Sequence, residues 1–441
     1  MFNSGGKMIL KSVTVGNYKN IAETFLDLTK ITALVSVNNY GKSNLLEAVY
    51  FGFDFLAASP KTRKRMMSSS HRIPKNSSLQ GKNYYFSVEF DDPGLMNYRH
   101  VKYSFEFQWQ NDKKDGAVIV NENLEINDSP DSKKYTSYLK RNEGKFRPGK
   151  SFTNFRNLIL QTDCLAIDIL SSYDDIEINS VVRAIQNLRS IFCRSLEINA
   201  LRDPMPVEFG PEEQFTLFDD KDIPRTLKYL KDKDPERYEQ FLDSVYQLFP
   251  EFEKIELRTY IYLSAKFSLF SDRENNDSNQ NTQSGIEDEI YKIYIKCHYL
   301  DEPISIEDMS TGTKRIIWLL ILSIFGADHG INMIEVDEIE TSIHPKMIRR
   351  LLESINDLLN NSSMILSSHS PYLIQYLKLD AIYIGIPNND GLAQFRRIKK
   401  NKSKDIIRVS HGLGLSVGEY IFELLSGDED SIDILKSYLE D

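Results

Sequence analysis

Cysteine is scarce in this chain: Cys164, Cys193 and Cys297 stand far apart and without metal-ligand spacing. That argues against a disulfide framework and a zinc cluster, and it places the chain in a reducing cytoplasm. Long apolar runs are missing too. The longest, Ile316 to Ala327, has helix-core length and falls short of the ~20 residues a membrane span needs, so no membrane partner is expected. No charged segment followed by an apolar stretch opens the chain, and Ser4-Gly5-Gly6 before Met8 reads as a loose leader. Sustained heptads and internal repeats are absent, which excludes long coiled-coil arms. Surplus positive charge is also lacking. The 54 Lys and Arg face 64 Asp and Glu, a net −10 that argues against a general nucleic-acid coat protein. What remains is 441 residues of ordinary globular composition, 41% apolar and 27% charged, enough for two or three domains with a large core.

Ile9 to Val15 alternates apolar and polar residues and reads as a strand. Ile31 to Val35 is a second short strand that leads through a polar loop into a helix over Lys42–Ala58. Ser59 to Ser78 is polar and basic, holding Lys61, Arg63, Lys64, Arg65, Arg72 and Lys75 with no acid among them. Strands are expected over Tyr84–Phe90 and Val101–Trp109, then a polar stretch to Lys150. Ser171 to Phe252 reads mainly helical, broken at Pro204 and Pro206, and Asn275 to Gln283 reads as an exposed loop. After a strand at Tyr291–Leu300 the pattern becomes dense. It runs helix 314–327, strand 331–336, helix 345–360, strand 363–367, helix 371–378 and strand 381–386. Strands alternating with helices at both ends, around a different middle, predict one α/β domain interrupted by an insertion.

Four motifs carry chemistry. Ser36-Val37-Asn38-Asn39-Tyr40-Gly41-Lys42-Ser43 has the form of a phosphate-binding loop, GxxxxGK[ST], with its first glycine replaced by Ser36. Backbone N–H groups and the helix N-terminus face the phosphates, Lys42 neutralises the β/γ charge, and the Ser43 hydroxyl ligates Mg²⁺. Asn39 tolerates a left-handed backbone. By itself a Gly-Lys-Ser in a turn is also met by chance. Ile334-Glu335-Val336-Asp337-Glu338 ends a strand in two acids: Asp337 to hold Mg²⁺ through water, Glu338 as general base. A further strand ends Ser367-Ser368-His369-Ser370, where His369 is placed to bond a γ-phosphate; alone it reads as a capping or core histidine. Between loop and acids, Met309-Ser310-Thr311-Gly312-Thr313-Lys314-Arg315 opens the apolar helix. A Ser-x-Gly turn there makes an anion site, or an ordinary N-cap.

In this order the motifs resemble the ABC-type ATPases of the RecF/SMC/OLD group, especially short prokaryotic AAA family ATP-binding proteins. Leu10 to Val15 with Gly16-Asn17-Tyr18-Lys19-Asn20 is similar to the family's first strand and turn, and Asn38-Asn39 with Gly41 to Ala48, Asn44 included, to its P-loop. Ser310 to Arg315 is similar to its signature, Asp337-Glu338-Ile339-Glu340 with His344-Pro345 to its Walker B and D-loop, and Ser368 to Pro371 to its switch. The resemblance covers residues 8–60 and 305–380; in the middle only Leu201-Arg202-Asp203-Pro204 looks like a turn of some relatives, and Gln161 is the best of several poor Q-loop candidates. It implies an ABC-ATPase head, a P-loop NTPase with a mixed or parallel sheet and flanking helices, carrying a mostly helical insertion. The expected divisions are 1–60 and 301–390 for the head, 61–300 for the insertion and 391–441 for a C-terminal extension. It also implies ATP and Mg²⁺ as ligands and homo-oligomers through ATP-sandwich dimers, in which Ser310 and Gly312 complete the partner's site. Ser36 departs from the pattern and predicts slow turnover.

Three functions stay open. Only 72 residues follow His369, too few for a TOPRIM nuclease, and Asp428-x-Asp430 is at most a fragment of an acidic pair. By family analogy, an ATPase of this kind is the sensor or scaffold subunit of an antiviral defence complex that controls a separately encoded TOPRIM- or HNH-type nuclease. A RecF-like repair ATPase would bind nucleic acid through Lys61–Lys75 and Arg396–Lys404, although basic runs also serve simply as solvated faces. A scaffold that binds ATP with little turnover is the third.

Overall fold

The structure is a computed structural model. It describes residues 8–440 apart from 70–71, 96–99, 112, 128, 130–133, 150–153, 155, 173–176, 194–222, 265–285, 329 and 387–389. The chain divides into one unit of Met1–Ser195 with Gly326–Asp441 and a second of Leu196–Phe325.

In the first unit β1 (Ile9–Gly16), β2 (Thr24–Asp27) and β3 (Ile31–Ser36) precede α1 (Lys42–Ala57) and α2 (Pro60–Met67). After them come β4 (Tyr84–Asp91), β5 (His100–Gln108), β6 (Val118–Asn127), β7 (Thr136–Lys140), β8 (Lys145–Phe146) and β9 (Arg156–Asn157). Next are α3 (Ala166–Leu170), α4 (Asn179–Gln186) and β10 (Ser190–Cys193). The second unit contains α5 (Ile223–Lys233), α6 (Pro235–Leu248), β11 (Phe252–Ser264), β12 (Ile286–Cys297) and β13 (Ile304–Ser305), and α7 (Thr311–Asp328) starts there. The first unit resumes with β14 (Met333–Val336), α8 (Pro345–Leu358), β15 (Ser363–Ser368), α9 (Pro371–Ile374), β16 (Ile382–Gly385) and β17 (Phe395–Arg397). It ends with α10 (Ser403–Gly412), α11 (Val417–Ser426) and α12 (Glu429–Ser437).

Six strands form one sheet in the order β10-β14-β15-β3-β16-β17, parallel except for the last pair. Every residue of β3, β14, β15 and β16 is buried, as strands covered on both faces must be, and their sequences are accordingly short and mostly apolar without alternation, with Glu335 of β14 and the serines of β15 buried among them. Register aligns the strand ends: Ser368 lies opposite Val35 and Val336 opposite Leu366, so the loops after β3, β14 and β15 leave from one end of the sheet. Helices supply the flanks by familiar means. On α8, Ile348, Leu351, Leu352, Ile355 and Leu358 make one buried stripe, and His344 caps its start ahead of Pro345 at the first helical position.

Eight strands form the second, antiparallel sheet in the order β2-β1-β4-β5-β6-β7-β8-β9. Aromatic rings join it to α1: Phe55 stacks on Phe107 at 4.8 Å and Phe53 meets Phe86 edge-on at 5.2 Å. Gly52 is required at this crossing, because a Cβ there would sit 1.9 Å from the Phe86 ring.

The expected α/β head is present, but its insertion is corrected. The stretch to Lys150, read as polar, contains β6, β7 and β8, and with β4 and β5 it makes the segment 61–300 mixed rather than mostly helical. β6 hides its periodicity. Ile119, Leu124 and Ile126 point inward, but the inward position between them is held by an acid, Glu122, which is wholly buried. The predicted helix 371–378 is one turn, Pro371–Ile374, and β10 interrupts the helical reading of 171–252. Pro204, Pro206, Leu201–Pro204 and the 275–283 loop lie outside the described residues. In the second unit β11, β12 and β13 form an antiparallel sheet. None of the three cysteines is in a disulfide, and no helix among the described residues is long and apolar enough to cross a membrane.

Candidate active site

The loop after β3 turns through two positions that ordinary residues resist. Asn39 has φ 59° and Gly41 φ 124°. A Cβ on Gly41 would lie 2.9 Å from Ala393 and 3.1 Å from Asn20, so glycine is needed there for space as well as for conformation. No side chain caps α1 and no acid lies in its first turn, so its leading N–H groups are left for an anion. Asn38, Asn39 and Ser43 belong to this loop and the helix start, and both asparagines are exposed. Ser36, where the motif has glycine, is the last residue of β3 and has no left-handed backbone, so a side chain is tolerated. Its hydroxyl is fully buried and bonds to the Val37 carbonyl at 3.1 Å, within its own loop.

Lys42 is the centre of the arrangement. Only 5% exposed, it donates to Ser36 O at 3.1 Å, Val37 O at 3.2 Å and His369 Nδ1 at 3.3 Å. Burial pushes its pKa down to about 8 against the pull of Asp337, Glu338 and Glu340. Burial and then the Lys42 charge lower His369 as well, which leaves its ring neutral at pH 7 and able to accept from Lys42 through Nδ1. Its Nε2 lies 3.7 Å from Glu338 Oε1.

Asp337 and Glu338 leave the end of β14 beside the end of β15. Ser367 joins them: its hydroxyl donates to Asp337 Oδ1 and accepts the Glu338 N–H at 2.8 Å. Glu338 has φ 49°, a costly backbone for an acid that the Ser367 bond helps to hold. Glu340 Oε1 accepts the His369 N–H at 2.6 Å. Loop, acids and switch thus come together at one end of the six-stranded sheet. Asn44 is turned to a structural task, its amide donating to Asn20 at 2.8 Å and its oxygen accepting from Lys19 at 3.3 Å. Asn20 in turn donates to the Tyr40 carbonyl at 3.1 Å. Ser367, Glu340 and Asn20 had no assigned task from sequence, although all three stand inside the quoted motifs. Gln161 is exposed; its carbonyl accepts from Arg141 at 2.8 Å.

Ser310 and Gly312 belong to the other unit. Ser310 is the N-cap of α7: its Oγ accepts the Thr313 N–H at 3.1 Å, and Gly312 is half-buried in the first turn.

The donors present fit Mg²⁺. The Ser43 hydroxyl and Asp337 carboxylate are hard oxygens, and Mg²⁺ commonly takes one or two such groups with phosphate and water. No cluster of three metal-ligating His, Cys, Asp or Glu occurs among the described residues.

A glycine-turned loop on an uncapped helix, with a buried lysine facing strand-end acids, defines a P-loop nucleotide-binding protein. The chain belongs to the AAA ATPase domain family, which matches residues 8–374, and it is an ATPase. Comparison with curated proteins finds no match. Among solved structures the chain is similar to an SMC head bound to the C-winged helix domain of ScpA, with 13% identity, a TM-score of 0.51, and coverage of 90% of this chain and 99% of that one. This likeness shows the fold. SMC head domains from Thermotoga maritima (12% identity, TM-score 0.41, coverage 89% and 99%) and Pyrococcus furiosus (14%, 0.43, 92% and 100%) also match.

Proposed function

We propose that this site binds Mg-ATP as a clamp between two copies of the chain and that hydrolysis opens the clamp. The observation that carries the reading is the convergence on Lys42, with His369 at 3.3 Å and Glu338 beyond it at 3.7 Å from the ring. Lys42 counters the β/γ-phosphate charge, and the amides of residues 38–43 with the α1 terminus receive the phosphate oxygens. Ser43 and Asp337 hold Mg²⁺, which when bound screens the phosphate charge. Glu338 takes the proton of the attacking water, and His369 bonds the γ-phosphate. Ser310 and Gly312 complete the site of a second copy.

The finer role we infer is that of a sensor or scaffold subunit that controls a separate effector nuclease in antiviral defence. Support comes from the motif order. In the C-terminal extension Asp428 caps α12, its Oδ1 accepting the Ser431 N–H at 3.0 Å, the ordinary task of an aspartate at a helix start. The nucleic-acid reading loses several of its cations. Arg63 is 2% exposed and paired with Asp168, Lys75 lies over Trp109 at 4.4 Å, and Arg397 pairs with Asp27 and Glu440.

Complementation tests the clamp. Gly312→Asp puts a charge where the γ-phosphate must dock, and Lys42→Ala removes its counter-charge; each alone should be inactive. A mixed dimer retains one composite site, so mixing should restore part of the ATPase rate. A mixture that stays inactive, with mixed dimers verified by native mass spectrometry, would contradict the shared site. Co-purification of a nuclease supports the defence role; salt-dependent DNA binding without one supports repair.

A further inference from the structure

We propose that Glu340 is a positioning residue for ATP hydrolysis, holding the switch histidine against Lys42 through its main chain. This rests on the roles given above to Lys42 and His369. Glu340 sits two residues past Glu338 in a closed turn, where Thr341 N donates to Glu338 O at 3.1 Å and Ile343 N to Glu340 O at 2.9 Å. From there Oε1 reaches across to β15 and accepts the His369 N–H at 2.6 Å. The bond is to backbone, so it fixes where the ring starts whatever the ring itself touches. Ser367 ties the same two strand ends one register earlier, through Asp337 and the Glu338 N–H. Glu340 supplies the tie at His369 itself.

The other oxygen makes this more than a strand-end staple. Oε2 is buried and has no hydrogen-bond partner among the described residues. A structural tie alone is served as well by an amide or hydroxyl, without an orphaned carboxylate oxygen. Charge is the property those lack, and both Lys42 and His369 feel the charge of Glu340. One carboxylate therefore sets the position of the switch and adds negative potential beside the phosphate-binding ammonium. Its link spans β14 and β15, so motion at one strand end is passed to the other.

Steady-state ATPase kinetics on Glu340→Ala, Glu340→Gln, His369→Ala and the double alanine variant test this, with hydrogen exchange of the peptide across Ser368–Ser370. Glu340→Ala should lower kcat about 10- to 100-fold with KM nearly unchanged, the scale of a small misplacement of a reacting group. The exchange of that peptide should accelerate. Glu340→Gln keeps an acceptor for the His369 N–H, so it should recover the exchange protection and part of kcat. In the His369→Ala background, Glu340→Ala should cost clearly less than it does alone, because its positioning effect acts through the histidine and only its charge beside Lys42 remains to be lost. Independent, multiplying losses would overturn the proposal, and so would wild-type kcat in Glu340→Ala while His369→Ala is impaired. Wild-type kcat in His369→Ala would instead overturn the site reading, and the positioning role with it. A misfolded Glu340→Ala leaves Glu340→Gln to decide: unprotected exchange at Ser368–Ser370 in that folded variant would contradict the tie.

Discussion

Charge is buried in two regions of this protein, and the two treat it differently. Beneath the eight-stranded sheet, Glu122 accepts from Tyr103 at 2.8 Å, Ala166 N at 2.6 Å and Ile167 N at 3.2 Å, with Arg141 at 3.5 Å. Arg63 likewise donates to the Phe55 and Leu56 carbonyls, each at 2.8 Å, and pairs with Asp168. At the end of the six-stranded sheet, Lys42 is buried among carbonyls and a neutral histidine, Glu338 has a left-handed backbone, and one oxygen of Glu340 is orphaned. In the first region buried charge meets opposite charge directly; at the second the Lys42 ammonium bonds only to uncharged acceptors, which keeps its charge for a ligand's phosphates.

Mutations should separate the regions. The largest effect belongs to Lys42→Ala, which should lower ATP affinity by more than about 100-fold in calorimetry while leaving the far-UV CD spectrum intact. Arg63→Ala should do the reverse, costing about 3–5 kcal/mol in urea unfolding because it strands Asp168 and two carbonyls, with ATP affinity retained in the folded fraction. A smaller effect is expected from Ser367→Ala, which frees Asp337 and the Glu338 amide. We expect kcat to fall about tenfold and stability to change by about 1 kcal/mol.

An effect seen in stability alone concerns Lys75, which burial lowers to about 8. Unfolded, this lysine stays protonated up to its ordinary value near 10.5, so between about pH 8 and 10 the unfolded state binds more protons and stability rises with pH. Urea midpoints at pH 7, 8.5 and 10 should show wild type gaining on Lys75→Gln as pH increases; parallel curves would show that the Lys75 pKa is not shifted.

The chemistry of the site was legible because its parts are local. Gly41-Lys42-Ser43, Asp337-Glu338 and His369 each lie within a few residues of a strand end, and short apolar runs announce those strands. The ties between them were not legible. Ser367 meets Asp337, and Glu340 meets His369, only because β14 and β15 are adjacent and in a given register, which no single segment states. Much of the second sheet was missed for a related reason. Glu122 interrupts the apolar alternation of β6, and its burial makes sense only once Tyr103 and the start of α3 surround it. Ser36 shows the converse: it departs from the glycine of the motif, yet the β3 backbone accommodates it without strain.

The central claim is that ATP is hydrolysed at this strand end with Glu338 as the base. Glu338→Gln preserves size and the turn but removes the base. Single-turnover hydrolysis measured beside ATP binding should show affinity within about threefold of wild type and a chemical step slowed by about 10²- to 10⁴-fold. Wild-type single-turnover rates in Glu338→Gln would contradict the account.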